Sequence, residues 1–322
     1  MESPRRTRRR ALMSLVLSLV TVGCGTAAGT MYTTSHPAAV RTADREETVE
    51  SATEAAVDRD ALLAAAMERV DVADGAEVSV AVLETGSGEG ASYGAGVFDT
   101  ASVVKVDVLA ALLLRAQDAG RTLTAEERTY ATAMIENSDN DATSALWRSI
   151  GTAEGLDAAN ERFGLTDTAG GDGPLWGLTQ TTADDRIRLL RQVFVAEGSL
   201  LSEASRAYAR ELMGRIAAGQ RWGVSAAADG TEWALKNGWL RRGTTGLWVI
   251  NSIGRVTAGG HDYLVAALSR GSATQEEGIA LAEAAARAAV SVFTGGGPAE
   301  AAARAAVSVF TGGGPAGAQA SS

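Results

Sequence analysis

The chain has 322 residues, 39 acidic against 29 basic, and a formal net charge of −10, a balance that disfavours nucleic acid and anionic lipid as partners. With two histidines and one cysteine, it has no intrachain disulfide and no cysteine-based metal site, and no carboxylate cluster has ligand spacing. No cofactor is therefore expected.

The chain opens with Arg5, Arg6, Arg8, Arg9 and Arg10, an apolar run over 11–22, and then Gly23-Cys24-Gly25. The run is too short to span a bilayer, so residues 1–24 read as an export leader of lipoprotein or twin-arginine type. Two outcomes stay open: a chain lipid-anchored through Cys24, or one secreted after cleavage near Ala27-Ala28. Both place the protein outside the cell membrane. Without residues 1–23, which hold five arginines and one glutamate, the 29 basic and 39 acidic residues fall to 24 and 38 and the charge to −14. Residues 25–57, with little apolar content, read as a flexible tether.

The next segment, 58–299, is long enough for one large domain or two packed lobes. Periodicity predicts a helix over 61–70, a strand over 78–83 and its hairpin partner over 91–94. A run of helices follows from Ser102 to about 217. Strands return over 232–239, 246–252 and 263–268, and a helix over 275–293 closes the domain. Early strands, a helical insert and late strands predict an α+β fold, one antiparallel sheet flanked by helices plus an all-helical lobe. Residues 283–299 and 300–316 are identical, each an alanine-rich helix pattern stopped by Gly-Gly-Gly-Pro. The first copy is expected to complete the last helix, and 300–322 to be a surplus tail. A monomer is expected.

Three short motifs carry the chemistry. Ser102-Val103-Val104-Lys105 opens an apolar helix, and its i to i+3 step puts hydroxyl and amine on one face about 5–6 Å apart at Cβ. A serine hydroxyl needs a base to become a nucleophile, and a lysine serves only when burial or nearby cations depress its pKa. Ser138-Asp139-Asn140 follows, then Lys236-Asn237-Gly238-Trp239 in a strand pattern. A Ser-His-Asp triad is disfavoured, since His36 lies just after the leader and His261 reads as a turn residue.

In order and setting, these motifs resemble the class A β-lactamase and penicillin-binding-protein superfamily of active-site serine enzymes, with its S-x-x-K, S-D-N and K-T-G signature. The resemblance covers roughly residues 58 to 294. It implies Ser102 as nucleophile, Lys105 as its base or part of the relay, and Ser138 as proton donor to the leaving nitrogen. It implies Asn140 for the substrate amide and Lys105, and Lys236 for the substrate carboxylate and the Ser138 hydroxyl. Asn237, Gly238 and Trp239 would line the substrate, and the backbone N–H groups of Ser102 and Trp239 would form an oxyanion hole. The implied substrate is a β-lactam or a peptidoglycan-like peptide.

Two departures stand out. Asn237 replaces the usual threonine or serine, bringing a bulkier and differently angled donor. The E-x-x-L-N run that activates the deacylating water is absent from 166–182, where only Asp167 and Asp172 offer carboxylates, Asp172 between two glycines. If a carboxylate such as Asp172 activates water, the chain is a β-lactamase. If none does, acylation outruns deacylation, as in a penicillin-binding protein or slow D,D-peptidase. A non-catalytic binding module on the same fold is the third reading.

Overall fold

Residues 57–295 are described by a computed structural model. The leader with Cys24, His36, most of the tether and the second repeat copy lie outside the described residues. The first helix, α1 (Arg59–Met67), begins two residues earlier than expected because the Asp58 carboxylate caps it, accepting from Ala61 N at 3.0 Å. No helix among the described residues is long and apolar enough to cross a membrane.

Strand β1 (Glu77–Glu84) forms a hairpin with β2 (Gly90–Tyr93), and the chain then runs through the short β3 (Phe98–Asp99) into the helices. Those are α2 (Val104–Asp118), α3 (Ala125–Glu136), α4 (Asn140–Ile150) and α5 (Thr152–Phe163). The next loop contributes β4 (Gln180–Thr181), which pairs antiparallel with β3. Helices α6 (Ala183–Phe194) and α7 (Glu203–Gly214) lead back to three long strands, β5 (Trp233–Arg241), β6 (Trp248–Ala258) and β7 (His261–Ser272). Helix α8 (Gln275–Thr294) closes the domain with a Thr274/Glu277 capping box.

The main sheet has the order β2-β1-β7-β6-β5 and is antiparallel throughout, which leaves β5 as an edge. Alternation divides its side chains between two cores. Val80, Val82, Leu235, Ile250, Val265 and Ala267 pack under Ala282, Ala285, Ala286 and Ala289 of α8. Small residues let α8 come close: a Cβ on Gly278 would lie 2.3 Å from Ile250 Cγ1. Ala81, Ala234, Ile253, Leu264 and Ala266 face the opposite way and join the core around α2. Twelve of the fifteen α2 residues are buried, so this helix is covered on every side, as its unbroken apolar sequence requires.

Covering α2 this way traps two polar groups. Asp107 and Arg186, from α2 and α6, are both fully buried and pair at 2.5 Å. Arg186 also reaches Thr168 at 3.1 Å, and Thr168 donates to Asp185 at 2.7 Å, which ties the 166–181 loop to both helices. Burial pushes the Asp107 carboxyl up, against the opposing pull of Arg186.

Candidate active site

The chain reaches Ser102 through a tight reversal. Asn251 of β6 donates its amide to Asp99 O at 2.8 Å and Thr100 O at 3.0 Å, and Thr100 N donates to Thr179 O at 2.8 Å. Ala101 then takes φ 47°, a left-handed value costly for any residue with a Cβ. Residues 101–103 form a 3-10 turn and α2 starts at Val104, two residues later than the expected helix start at Ser102. Edge strand β5 lies against this turn. A Cβ on Gly238 would fall 2.7 Å from Ser102 N and 2.9 Å from Thr100 O and Val103 N, so only glycine fits there. Ser102 itself is half-buried.

Lys105 has no solvent exposure. Its Nζ donates to Ser138 O at 2.6 Å, Ser138 Oγ at 3.0 Å and Asn140 Oδ1 at 2.9 Å, and lies 5.0 Å from the centroid of the Trp176 ring. None of these bonds goes to Ser102. Burial lowers the Lys105 pKa to about 7, against an opposing pull from the Asp139 carboxylate. Ser138 sits at φ 59°, and Asp139 caps α4 by accepting from Ala142 N at 2.7 Å. The strained residue and the cap together hold the Ser138 hydroxyl over the lysine.

Lys236 is equally buried, and its wiring differs from the expectation. Its Nζ donates to Asn237 O at 2.9 Å and Gln220 Oε1 at 3.4 Å rather than to the Ser138 hydroxyl. Desolvation and the nearby Lys105 charge hold its pKa well below the ordinary lysine value. Gln220, which no sequence pattern marked, also donates to Asn137 O at 3.2 Å and so touches both halves of the site.

Asn237 and Trp239 correct the reading of this strand. Lys236 and Gly238 project toward the helical lobe; their neighbours project toward α8. Both Asn237 amide hydrogens are already given to the carbonyls of Gln220 (2.7 Å) and Trp222 (2.9 Å), so a substrate carboxylate would have to displace one of them. Asn237 Oδ1 is buried with no partner among the described residues. Trp239 packs edge-on against Trp222 with ring centroids 6.1 Å apart.

The facing loop brings no carboxylate to these groups. Asp167 and Asp172 are both exposed, and Asp172 lies in a turn whose carbonyl accepts from Leu175 N at 3.0 Å. Asp172 shares no hydrogen bond with Lys105 or Ser138. The loop is fixed by Trp147 donating to Gly173 O at 2.8 Å and Gly171 N donating to Thr179 Oγ1 at 3.1 Å. What it presents to Lys105 is the Trp176 indole, itself held by a 3.2 Å bond to Ser144 Oγ. His261 lies elsewhere, beginning β7 beside Glu84 at 3.5 Å. Glu161 is exposed on α5.

Comparisons with known proteins agree with this architecture. Curated relatives described as "Putative lipoprotein LppW", from Mycobacterium tuberculosis and Mycobacterium bovis, are 29% identical over 172 residues, 52% of this chain and 55% of theirs. The chain thus spans about half the length of the curated relatives it matches. Among solved structures, an acyl-enzyme complex of a PBP-A variant with penicillin G superposes with TM-score 0.61 at 22% identity, over 73% of this chain and 97% of that one. A class A β-lactamase from Bacteroides cellulosilyticus gives 0.62 at 16% identity, over 74% and 99%. These likenesses establish the fold. The family model described as "Beta-lactamase enzyme family" matches residues 114–293, a segment that holds Ser138, Asn140 and Lys236 and begins after Ser102 and Lys105. With more than half of its length matched, the chain belongs to the beta-lactamase enzyme family.

Proposed function

We propose that the protein is an exported active-site serine enzyme that is acylated at Ser102 by β-lactams or peptidoglycan-like peptides and releases the acyl group slowly. The observation that carries the reading is Lys105: fully buried, bonded to Ser138 and Asn140, with burial lowering its pKa to about 7. Once neutral, the amine gives up one donated bond and has a lone pair for the Ser102 hydroxyl one helical step away. Ser102 Oγ attacks the carbonyl carbon and its proton passes to Lys105. The carbon–nitrogen bond then breaks, Ser138 hands a proton to the leaving nitrogen and takes one from the Lys105 ammonium across their 3.0 Å bond, leaving an ester on Ser102 and a neutral Lys105. The N–H groups of Ser102 and Trp239 would receive the developing oxyanion, each worth about 2.7–4 kcal/mol of barrier.

Slow release is supported by what faces the ester. Hydrolysis needs a base to activate water, and the loop offers an indole where a carboxylate would serve. Intact-protein mass spectrometry after mixing the purified protein with a penicillin and a cephalosporin, with Ser102→Ala as control, tests the proposal. A persistent adduct lost in the variant is expected. An adduct that clears with release of opened drug would make the protein a β-lactamase, and no adduct with either drug would overturn the reading. Attachment to the outer face of the membrane through Cys24 is supported by the description of the mycobacterial relatives, and palmitate labelling that survives Cys24→Ala would refute it.

A further inference from the structure

We infer that Gln220 is the positioning residue for substrate charge: its side-chain amide holds the Lys236 amine between β5 and the Ser138 segment while leaving it free to pair, as the ammonium, with an anionic substrate group. The inference rests on the acylation reading above and adds the residue that sets preference for an anion.

Gln220 ends a short 3-10 turn, Ala218–Gln220, that is fastened to both sides of the site. Ala217 N donates to Glu136 O at 2.8 Å at the end of α3. Gln220 Nε2 donates to Asn137 O at 3.2 Å, one residue before Ser138. Its Oε1 accepts from Lys236 Nζ at 3.4 Å, and its own carbonyl accepts from Asn237 Nδ2 at 2.7 Å. One side chain therefore fixes the spacing between the serine-bearing segment and the lysine-bearing strand.

An amide does this in a way a carboxylate would not. A charged Lys236 has three hydrogens, and the described residues supply two acceptors, Asn237 O and Gln220 Oε1. Both acceptors are neutral, and no carboxylate among the described residues pairs with the ammonium. A buried amine without a counter-ion, its charged form disfavoured by desolvation, carries its charge most favourably when an anion arrives beside it. A glutamate at 220 would supply that anion permanently, at the position where Oε1 now stands.

The test compares acylation rates with benzylpenicillin, which carries a carboxylate, and its methyl ester, which does not. Wild type should prefer the acid. Gln220→Glu should lower the acid-over-ester preference by roughly tenfold or more, the worth of one charge-assisted hydrogen bond. Gln220→Met should lower it less, because it removes an acceptor without cancelling the charge. If both rates fall together in Gln220→Glu, or the preference stays at its wild-type value, Gln220 is structural only and the inference is overturned while the acylation reading stands. Wild type that acylates with neither compound overturns both.

Discussion

The two walls of the site are built from different chemistry. On one, Lys105, Ser138 and Asn140 form a closed polar set anchored by α2 and the start of α4. On the other, the 166–181 loop is just as firmly tied down, through Trp147, Thr179 and the buried Asp107–Arg186 pair, yet what it turns to Lys105 is the Trp176 ring. Both walls are fastened by hydrogen bonds, so tethering does not distinguish them. The polar wall carries the groups that the proposed acylation would use; the aromatic wall turns an indole, and neither Asp167 nor Asp172, toward Lys105.

Exchanging the chemistry of the aromatic wall should have the largest effect. Trp176→Glu places a carboxylate facing Lys105 and should shorten the adduct lifetime by roughly a hundredfold, the scale of a general base. Time-resolved mass spectrometry reads it directly, and an unchanged lifetime in a folded variant would show that something other than a missing base limits release. Next comes the fit of β5 against Ser102. Gly238→Ala puts a methyl group 2.7 Å from Ser102 N, and acylation should slow by about ten- to a hundredfold as Ser102 is displaced. A rate within twofold of wild type would mean that the turn yields freely.

The polar wall also has a pH signature. Burial depresses the Lys105 pKa to about 7, so the free base exists above that pH, and acylation should drop about tenfold per unit below it. A flat profile from pH 5 to 8 would remove Lys105 from the base role. The smallest effect is on stability. Burying this amine favours its neutral form, so between about 7 and 10.5 the unfolded chain holds a proton that the folded chain has released. The Lys105 contribution to stability therefore improves as pH rises through that window. Lys105→Met should stabilise the protein at pH 7 by about 1–2 kcal/mol, with the advantage shrinking toward pH 10. Chemical denaturation at the two pH values checks both sign and trend.

The sheet was legible because its strands alternate faces, and α8 because its alanine stripe is flanked by a cap and a glycine stop. The wall that carries Ser102 and Ser138 was legible because each of its two motifs is short and contiguous, although Lys105 and Ser138 lie 33 residues apart. Helix α2 starts later than its apolar pattern suggests because Ala101 takes a left-handed conformation, which depends on the contact between the reversal and β5. The partners of Lys236 and Asn237 come from 220–222, a segment with no periodic signal, and Asp107 meets Arg186 from 79 residues away. The direction of Asn237 was the part read wrongly: alternation along β5 was available, but which parity faced Ser102 depended on where the 3-10 turn docks.

The repeat gives α8 a problem of self-recognition. The chain contains the alanine-rich sequence twice, over 283–299 and 300–316, while among the described residues the sheet packs against one such helix, α8. Moving the helix along by one repeat would bring Thr294 to the place of Glu277, which closes the capping box, and Pro298 to the place of Leu281. A proline in that turn removes a donor and clashes with the preceding turn, at about 3 kcal/mol or more. The choice between two identical segments is thus made by the unrepeated residues ahead of them, much as a leading tooth sets the register of a zip.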